Sequence, residues 1–241
     1  DLPIQYTDYV AWQKKRQTAP RFVVQRDYWR VKLAGDLPRL ALPTDFPRPS
    51  LQNFHGAQYS VAIEQGQYTQ LRHLAEQHQA SLFMVLTAIL KILLYRYTGE
   101  KDILIGSISA GRIHPDLENQ VGFYVNTLVL RDSLSGENGL IDVLVQVRNT
   151  IEAALDNQEY PFDQLVNDLV DRAARVQQHL IAITMTLISE GLHPWFKEGF
   201  KLARPGDQVQ LRAHIIAKEI SIDLIPGGLK KLLVCLVIKI A

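Results

Sequence analysis

Hydrophobic residues follow a helical period in four stretches of the chain. These stretches cover residues 6–35, 67–79, 81–97 and 140–157, and Pro20 can divide the first of them into two short helices. Elsewhere, shorter runs are rich in β-branched residues or alternate between apolar and polar side chains, as strands do. Helices that alternate with strands in this way predict an α/β fold.

The most apolar of the helical stretches has both of its ends specified. Ser81 is a good N-cap and Gly99 is a good residue to end a helix. The run between them is hydrophobic on nearly every side, but Lys91 and Arg96 interrupt it. We therefore interpret it as the central, buried helix of a core rather than as a membrane span.

Strand-like runs are distributed over the whole chain, and turn signals such as Pro205-Gly206 lie between those near the C-terminus. The predicted strands are residues 57–63, 102–110, 121–131, 180–188, 211–224 and 232–241.

A proline-rich segment separates the first two helices from the rest. Residues 37–54 contain Pro38, Pro43, Pro47 and Pro49, which cannot pair within a central strand, so we expect an extended connector. This segment divides the chain into residues 1–55, which are helices and connector, and residues 56–241, which form the α/β unit.

Charge and cysteine content limit the classes of function. Lys and Arg number 26 against 25 Asp and Glu, so no overall field attracts nucleic acid or an anionic membrane. The single cysteine, Cys235, excludes an internal disulfide, and no secretion signal opens the chain. We expect a cytoplasmic protein that is cut from a longer one, because residue 1 falls directly on a motif.

Sequence motifs for familiar chemistry are not satisfied. The seven histidines include no pair spaced as metal ligands with a carboxylate, so we expect no metal site. Residues 106–111 resemble a nucleophile elbow, but Ser107 stands where the G-x-S-x-G pattern around Ser109 requires glycine. No Gly-Lys-Ser/Thr follows, so no phosphate loop is predicted either.

Several segments nevertheless resemble, in order, the motifs of condensation domains from nonribosomal peptide synthetases. Together they span roughly residues 2–170. They are residues 6–12 (YTDYVAW, against Y-x-D-Y-A-x-W), 28–35 (YWRVKLAG, the linker helix), 105–112 (IGSISAGR, against I-G-x-P-x-A-G-R), 122–128 (GFYVNTL, against G-F-F-V-N-T-L) and 160–166 (YPFDQLV, against H-P-F-E-x-L-V).

The resemblance implies the C-terminal lobe of a chloramphenicol acetyltransferase-like fold, in which two lobes enclose a tunnel for two tethered substrates. Residues 56–241 would be that lobe, divergent after about residue 171. It implies amide-bond formation between carrier-bound aminoacyl or peptidyl thioesters. The tunnel wall would include Ser107, Ser109, Gly111, Arg112, Asn126 and Gln178, the last by alignment with the Asn of R-D-x-S-R-N-P-L.

The resemblance also implies binding partners for the chain. They are peptidyl carrier domains, whose phosphopantetheine arms bring the substrates, the N-terminal condensation lobe and an adjacent adenylation domain. No cofactor is expected on the chain itself, and neither nucleic acid nor membrane is expected as a partner. The apolar run 232–241 carries few charges, which predicts possible self-association.

The family's H-H-x-x-x-D-G segment, which carries the catalytic histidine, has no counterpart in the sequence and is expected to precede residue 1. We therefore expect the chain alone to be inactive. Arg112 is our candidate partner for the aspartate of that segment, which predicts a solvated side chain in the isolated chain and a nearly silent Arg112→Ala substitution. Asn126 fits a hydrogen-bonding residue at a strand end equally well.

Two other functions remain open. The chain fits a non-catalytic lobe that binds a carrier domain or its missing half in trans. It also fits a lobe of a related epimerisation or heterocyclisation domain. Epimerisation is disfavoured because Gly122 is followed by Phe123 and Tyr124, where that subfamily has G-W-F-T.

Overall fold

The structure is a computed structural model that describes residues 2–38, 40, 42 and 57–169, and further along the chain the backbone of four short strands. The α/β fold predicted from the sequence is confirmed. The helices are α1 (Tyr6–Arg16), α2 (Pro20–Lys32), α3 (Gln65–Gln77), α4 (Leu82–Thr98), α5 (Leu140–Asp156) and α6 (Phe162–Asp168). The strands are β1 (Ala57–Ala62), β2 (Asp102–Ser109), β3 (Asn126–Ser133), β4 (Thr184–Met185), β5 (Ile188–Ser189), β6 (Val209–Ile215) and β7 (Ile238–Lys239).

The described strands form two sheets. One is antiparallel and has the order β1-β6-β5. The other has the order β3-β2-β4-β7, in which β2 runs parallel to β4 and the other pairs are antiparallel. The long β2–β3 hairpin runs through eight residue pairs, from Asp102 opposite Ser133 to Ser109 opposite Asn126. The end of the hairpin that leads into the connecting loop therefore has Ser109 beside Asn126.

Local chemistry accounts for the ends of the central helix. The Ser81 Oγ accepts a hydrogen bond from the Met84 amide at 3.2 Å, which satisfies a donor that the first turn leaves free. Gly99 ends the helix at φ 72°, in the left-handed region that glycine adopts at low cost. The predicted ends are confirmed.

The helix α4 lies in the core and packs against α3, α5 and β2. Lys91 is fully buried in it, and its Nζ donates to Asp132 Oδ2 at 2.5 Å and to the Leu130 carbonyl at 2.7 Å. Thr150 on α5 donates to the other Asp132 oxygen at 2.5 Å. Burial lowers the pKa of Lys91, while the Asp132 carboxylate opposes that shift. The ion pair thus joins α4, β3 and α5 within the core.

The length and composition of the helices agree with a buried α4. In the ranges described above, no single helix is long and apolar enough to span a membrane, and α3 and α4 satisfy the length and composition criteria only as a pair bent by 101°.

The helices α1 and α2 pack onto the α/β unit. Trp29 is 1% exposed, and its Nε1 donates to the Asn157 carbonyl at 2.9 Å. Arg131 on β3 donates to the carbonyls of Ala34 and Asp36, just beyond α2, at 2.7 and 3.0 Å. Its guanidinium also donates to the Asp102 carboxylate. The division at residues 55 and 56 falls outside the described residues and stays a prediction.

The sequence prediction differs from the structure at the start of β3. The strand begins at Asn126, not at residue 121. A Cβ on Gly122 would lie 2.4 Å from the Tyr6 ring, and the Phe123 carbonyl accepts a hydrogen bond from the Tyr6 hydroxyl at 3.0 Å. The segment before β3 therefore packs against α1 instead of extending the sheet. The predicted turns at 205–206 and 226–228 lie outside the described residues.

Candidate functional site

The candidate site lies at the end of the β2–β3 hairpin where residues 110–125 connect the two strands. Ser107 and Ser109 alternate with the more exposed Ile108 along β2, and both serines are buried. Ser107 pairs with Leu128 across the hairpin, and Ser109 pairs with Asn126. The structure thus places three of the predicted wall residues together on two adjacent strands.

The backbone at Gly111 explains the glycine of the A-G-R motif. Its φ is 66°, and a Cβ there would lie 1.8 Å from the main-chain oxygen of Tyr124. The close approach and the left-handed backbone each require glycine at this position. Gly111 therefore allows the loop after β2 to pack directly on the segment that leads into β3.

The hydroxyl of Ser109 has a structural partner. Its Oγ donates to Gln158 Oε1 at 2.5 Å and accepts a hydrogen bond from the Gly111 amide at 3.3 Å. Neither partner can act as a general base. The hydroxyl holds the turn at Gly111 and is not arranged as a nucleophile.

Asn126 uses its whole amide to hold the segment that follows α5. Its Nδ2 donates to the carbonyls of Gln158 and Tyr160, both at 2.8 Å, and its Oδ1 accepts from the Phe162 amide at 3.0 Å. The alternative role of Asn126, a hydrogen-bonding residue at a strand end, is thus what the structure shows.

Arg112 contacts its own loop. Its guanidinium donates to the Leu117 carbonyl and, at 2.8 Å, to the Gln120 carbonyl, and its Cζ lies 4.3 Å from the centre of the Tyr124 ring. The expectation of a solvated Arg112 in the chain alone is therefore wrong, because the loop itself offers two carbonyls and an aromatic face. Pairing with an upstream aspartate stays a prediction.

Tyr124 and Gln120 are site residues that the sequence analysis missed. The Tyr124 hydroxyl donates to Gln120 Oε1 at 2.5 Å, and Gln120 Nε2 donates to the Ile4 carbonyl at 2.5 Å. Burial raises the pKa of Tyr124, while the nearby Arg112 cation lowers it. Tyr124 lies within the quoted motif at residues 122–128, and that place in the motif was its signal in the sequence.

The first motif of the chain supports the same loop. The rings of Tyr6 and Tyr9 lie 5.4 and 4.7 Å from the Tyr124 ring. Asp8 Oδ2 accepts from the Gln5 amide at 2.8 Å and so caps α1. The aromatic residues of this motif therefore position the segment before β3.

The side chains of that segment face outwards. Val121 is 94% exposed and Phe123 is 77% exposed, although Tyr124 is buried. We call residues 121–125 the apolar loop. The apolar loop therefore exposes two large apolar side chains on a backbone that the Tyr6 hydroxyl holds.

The turn after α5 is a second feature that the sequence analysis missed. It joins α5 to the Tyr160-Pro161-Phe162 motif, and it contains Gln158 and Glu159. The buried Tyr160 hydroxyl donates to Asp168 Oδ2 at 2.6 Å, and burial and this contact raise its pKa. Tyrosine therefore occupies the family's histidine position as a structural residue.

A second cleft lies away from this site. It has a volume of about 620 Å³ between α2, β3 and α5, and it shares no lining residue with the site around Ser109. Over the described ranges, no group of three or more His, Cys, Asp or Glu side chains could hold a metal ion. Gln178, like Cys235, lies outside the described residues, so its predicted place in the wall stays a prediction.

Comparisons with known proteins agree with this architecture. The family model described as "Condensation domain" matches residues 1–210. One of the subunits of linear gramicidin synthase from Brevibacillus parabrevis is 36% identical over 224 residues, which are 93% of this chain. Tyrocidine synthase 3 of the same organism is 41% identical over 169 residues, or 70% of the chain. The chain spans only 4% and 3% of the length of these two relatives.

A solved structure shows the same fold. SgcC5 from Streptomyces globisporus is 30% identical and superimposes with a TM-score of 0.64. The match covers 72% of this chain and 39% of SgcC5.

Proposed function

Because this chain belongs to the condensation-domain family of nonribosomal peptide synthetases, we propose that it supplies one wall of the chamber in which such a domain forms an amide bond. The amine nitrogen of one carrier-bound substrate attacks the thioester carbonyl of the other. A C–N bond forms, the C–S bond breaks, and the thiol of the donor's phosphopantetheine arm leaves with the proton that the amine loses.

The observation that carries this proposal is the fixed loop at the end of β2. Ser109, Gly111 and Arg112 are each held by contacts within the chain. A wall of this kind can orient tethered substrates, because it does not reorganise when they bind. Among the described residues, the side chains that contact this loop are amides, a guanidinium and a phenol, and none of these groups is a base for the attacking amine.

This division of tasks predicts that the chain alone is inactive. The general base or positioning histidine would come from the H-H-x-x-x-D-G segment, and partner carrier domains would deliver both substrates. An adenylation domain would load the acceptor carrier.

A segment exchange tests the proposal. In tyrocidine synthase 3, the matching 169 residues would be replaced by those of this chain. We expect the exchanged synthase to form the amide bond at that domain, and this chain alone to form none above a carrier-only control. An exchanged protein that folds, is loaded on both carriers and forms no amide bond contradicts the proposal.

The exposed apolar loop favours a second candidate function, a lobe that binds in trans. Phe123 and Val121 are exposed on a backbone that Tyr6 holds in place. Mixing this chain with the complementary half of the matching tyrocidine synthase 3 domain, made as a separate protein, distinguishes the two. Recovery of condensation in the mixture supports binding in trans, and activity only in the covalent exchange supports the first proposal.

A further inference from the structure

The turn at residues 157–160 contacts several parts of the molecule. Hydrogen bonds and ion pairs join it to α1, α2, β2, β3 and, through Tyr160, the end of α6. We propose that Gln158 in this turn is a positioning residue that sets the conformation of residues 109–112, the wall segment. This inference rests on the proposed function, which makes that segment one wall of the chamber.

The side chain of Gln158 acts on the wall segment directly. Its Oε1 accepts a hydrogen bond from the Ser109 hydroxyl at 2.5 Å. This bond orients a lone pair of Ser109 Oγ toward the Gly111 amide, which donates to it at 3.3 Å. Ser109 is only 3% exposed, so water is a poor substitute for this partner. Loss of the acceptor would let the Ser109 side chain change rotamer. The Gly111 amide would then lose its hydrogen bond, and the turn there would become more mobile.

The main chain of the turn is itself fixed, so Gln158 has a rigid base. Asn126 donates to the Gln158 carbonyl at 2.8 Å, and Trp29 donates to the Asn157 carbonyl at 2.9 Å. On the far side, Glu159 pairs with Arg16 of α1 at 2.7 Å. The first two helices therefore hold the two residues on either side of Gln158, and Gln158 in turn contacts Ser109.

Helix α1 also holds the other end of the wall segment. Gly111 packs on the Tyr124 carbonyl, and Tyr124 is held by Tyr6 and Tyr9 of α1. The wall segment thus lies between two supports, of which one depends on α1 and α2 and the other depends on α1. Gln158 is the side chain through which one of these supports reaches it.

The chemistry of the contact defines the variants. Gln158→Met keeps the length of the side chain but removes the acceptor, whereas Gln158→Glu keeps an acceptor and strengthens it. Ser109→Ala removes the donor. Gln146→Met is the matched control, because Gln146 on α5 also makes one hydrogen bond, from its Nε2 to the Ser133 carbonyl at 3.0 Å.

Hydrogen exchange of this 241-residue chain gives the first test. We expect Gln158→Met and Ser109→Ala to speed exchange of the segment 110–113 about five-fold, the effect of one lost hydrogen bond. The double variant should be no faster than either single one, since both break the same contact. Unchanged exchange in Gln158→Met overturns the proposal whether or not the chain takes part in amide formation.

Kinetics of the segment-exchanged tyrocidine synthase 3 give the second test. Gln158→Met should lower kcat about ten-fold and change the KM for the acceptor carrier less than about two-fold, because the wall orients the tethered group while the carrier docks outside. Gln158→Glu should restore kcat, and Gln146→Met should leave it unchanged. Faster exchange without a kcat effect, or equal losses in Gln158→Met and Gln146→Met, overturns the positioning role. An inactive exchanged protein with intact Gln158 contradicts the proposed function instead.

Discussion

At the scale of single residues, the side chains of the candidate site hold one another in place. Asn126 makes three hydrogen bonds and Arg112 binds two carbonyls and an aromatic ring. Motif residues that the resemblance places in a tunnel wall thus also make structural contacts in the fold. Their loss should be measurable in the stability of this chain as well as in activity.

Gly111 gives the sharpest residue-scale test. Gly111→Ala should lower the free energy of unfolding by about 3 kcal/mol, because the new Cβ adds a clash with the Tyr124 carbonyl to the left-handed backbone strain. Gly35→Ala is the control, since Gly35 has φ 78° but open space around its Cβ, and it should cost about 1 kcal/mol. Urea unfolding measures both. Equal losses would show that the close approach to Tyr124 is not rigid.

Arg112→Ala should also destabilise the isolated chain. We expect a loss of about 2 kcal/mol, because two carbonyls lose a charged donor and Tyr124 loses its cation–π contact. Thermal unfolding of the chain alone measures it, with Arg72→Ala as the control, since Arg72 pairs with Glu76 on the same helix surface. A silent Arg112→Ala would restore the original expectation that this side chain serves another lobe.

At the scale of elements, the sequence was sufficient where one element determines its own structure. Ser81 and Gly99 bound α4, and Pro20 begins α2, because caps and proline act within a single turn. It was not sufficient for the start of β3, because the Tyr6 hydroxyl, 117 residues away in sequence, donates to the carbonyl of Phe123 in the segment before the strand. Nor could it show that Gln158 contacts Ser109, since that contact depends on how α5 packs beside the hairpin.

The guanidinium of Arg131 joins the sheet to the chain just beyond α2. Arg131→Lys should lower the free energy of unfolding by about 2 kcal/mol, because an ammonium cannot reach the Asp102 carboxylate and the carbonyls of Ala34 and Asp36 together. Near-ultraviolet circular dichroism of the buried Trp29 should weaken in parallel. Loss of stability with an unchanged Trp29 signal would contradict the view that Arg131 anchors α2.

At the scale of the whole molecule, alkaline pH should unfold the chain through its tyrosines. Burial, with the charges of Asp132 and Asp156, raises the pKa of Tyr28 to about 12, and burial also raises the pKa of Tyr9 and Tyr160. A raised folded-state pKa gives stability that is complete below pH 10 and is lost as pH rises towards the folded-state value. Between pH 10 and about 12, Tyr28→Phe should therefore flatten the decline in urea midpoint. An unchanged slope contradicts this assignment.

Self-association is a second property of the whole molecule. The predicted source, residues 232–241, lies almost wholly outside the described residues, whereas the apolar loop exposes Phe123. Phe123→Ser should lower the weight-average mass in sedimentation at high concentration and leave the thermal midpoint within about 1 °C, because little of the side chain is buried. The control is Val24→Ser, at an exposed position on α2. Association that is identical in both variants would point to the C-terminal run instead.

The contacts of the first two helices have a consequence for synthesis on the ribosome. Trp29 bonds to a residue 128 positions later, and Tyr6 and Ile4 bond to partners 117 and 116 positions later. At translation rates of about 5 to 20 residues per second, α2 is complete roughly 6 to 25 s before its binding surface exists. During that time the two helices lack these contacts, and their aromatic side chains are exposed to solvent. The nascent chain is therefore most open to chaperones, or to misplaced contacts, before α5 has emerged.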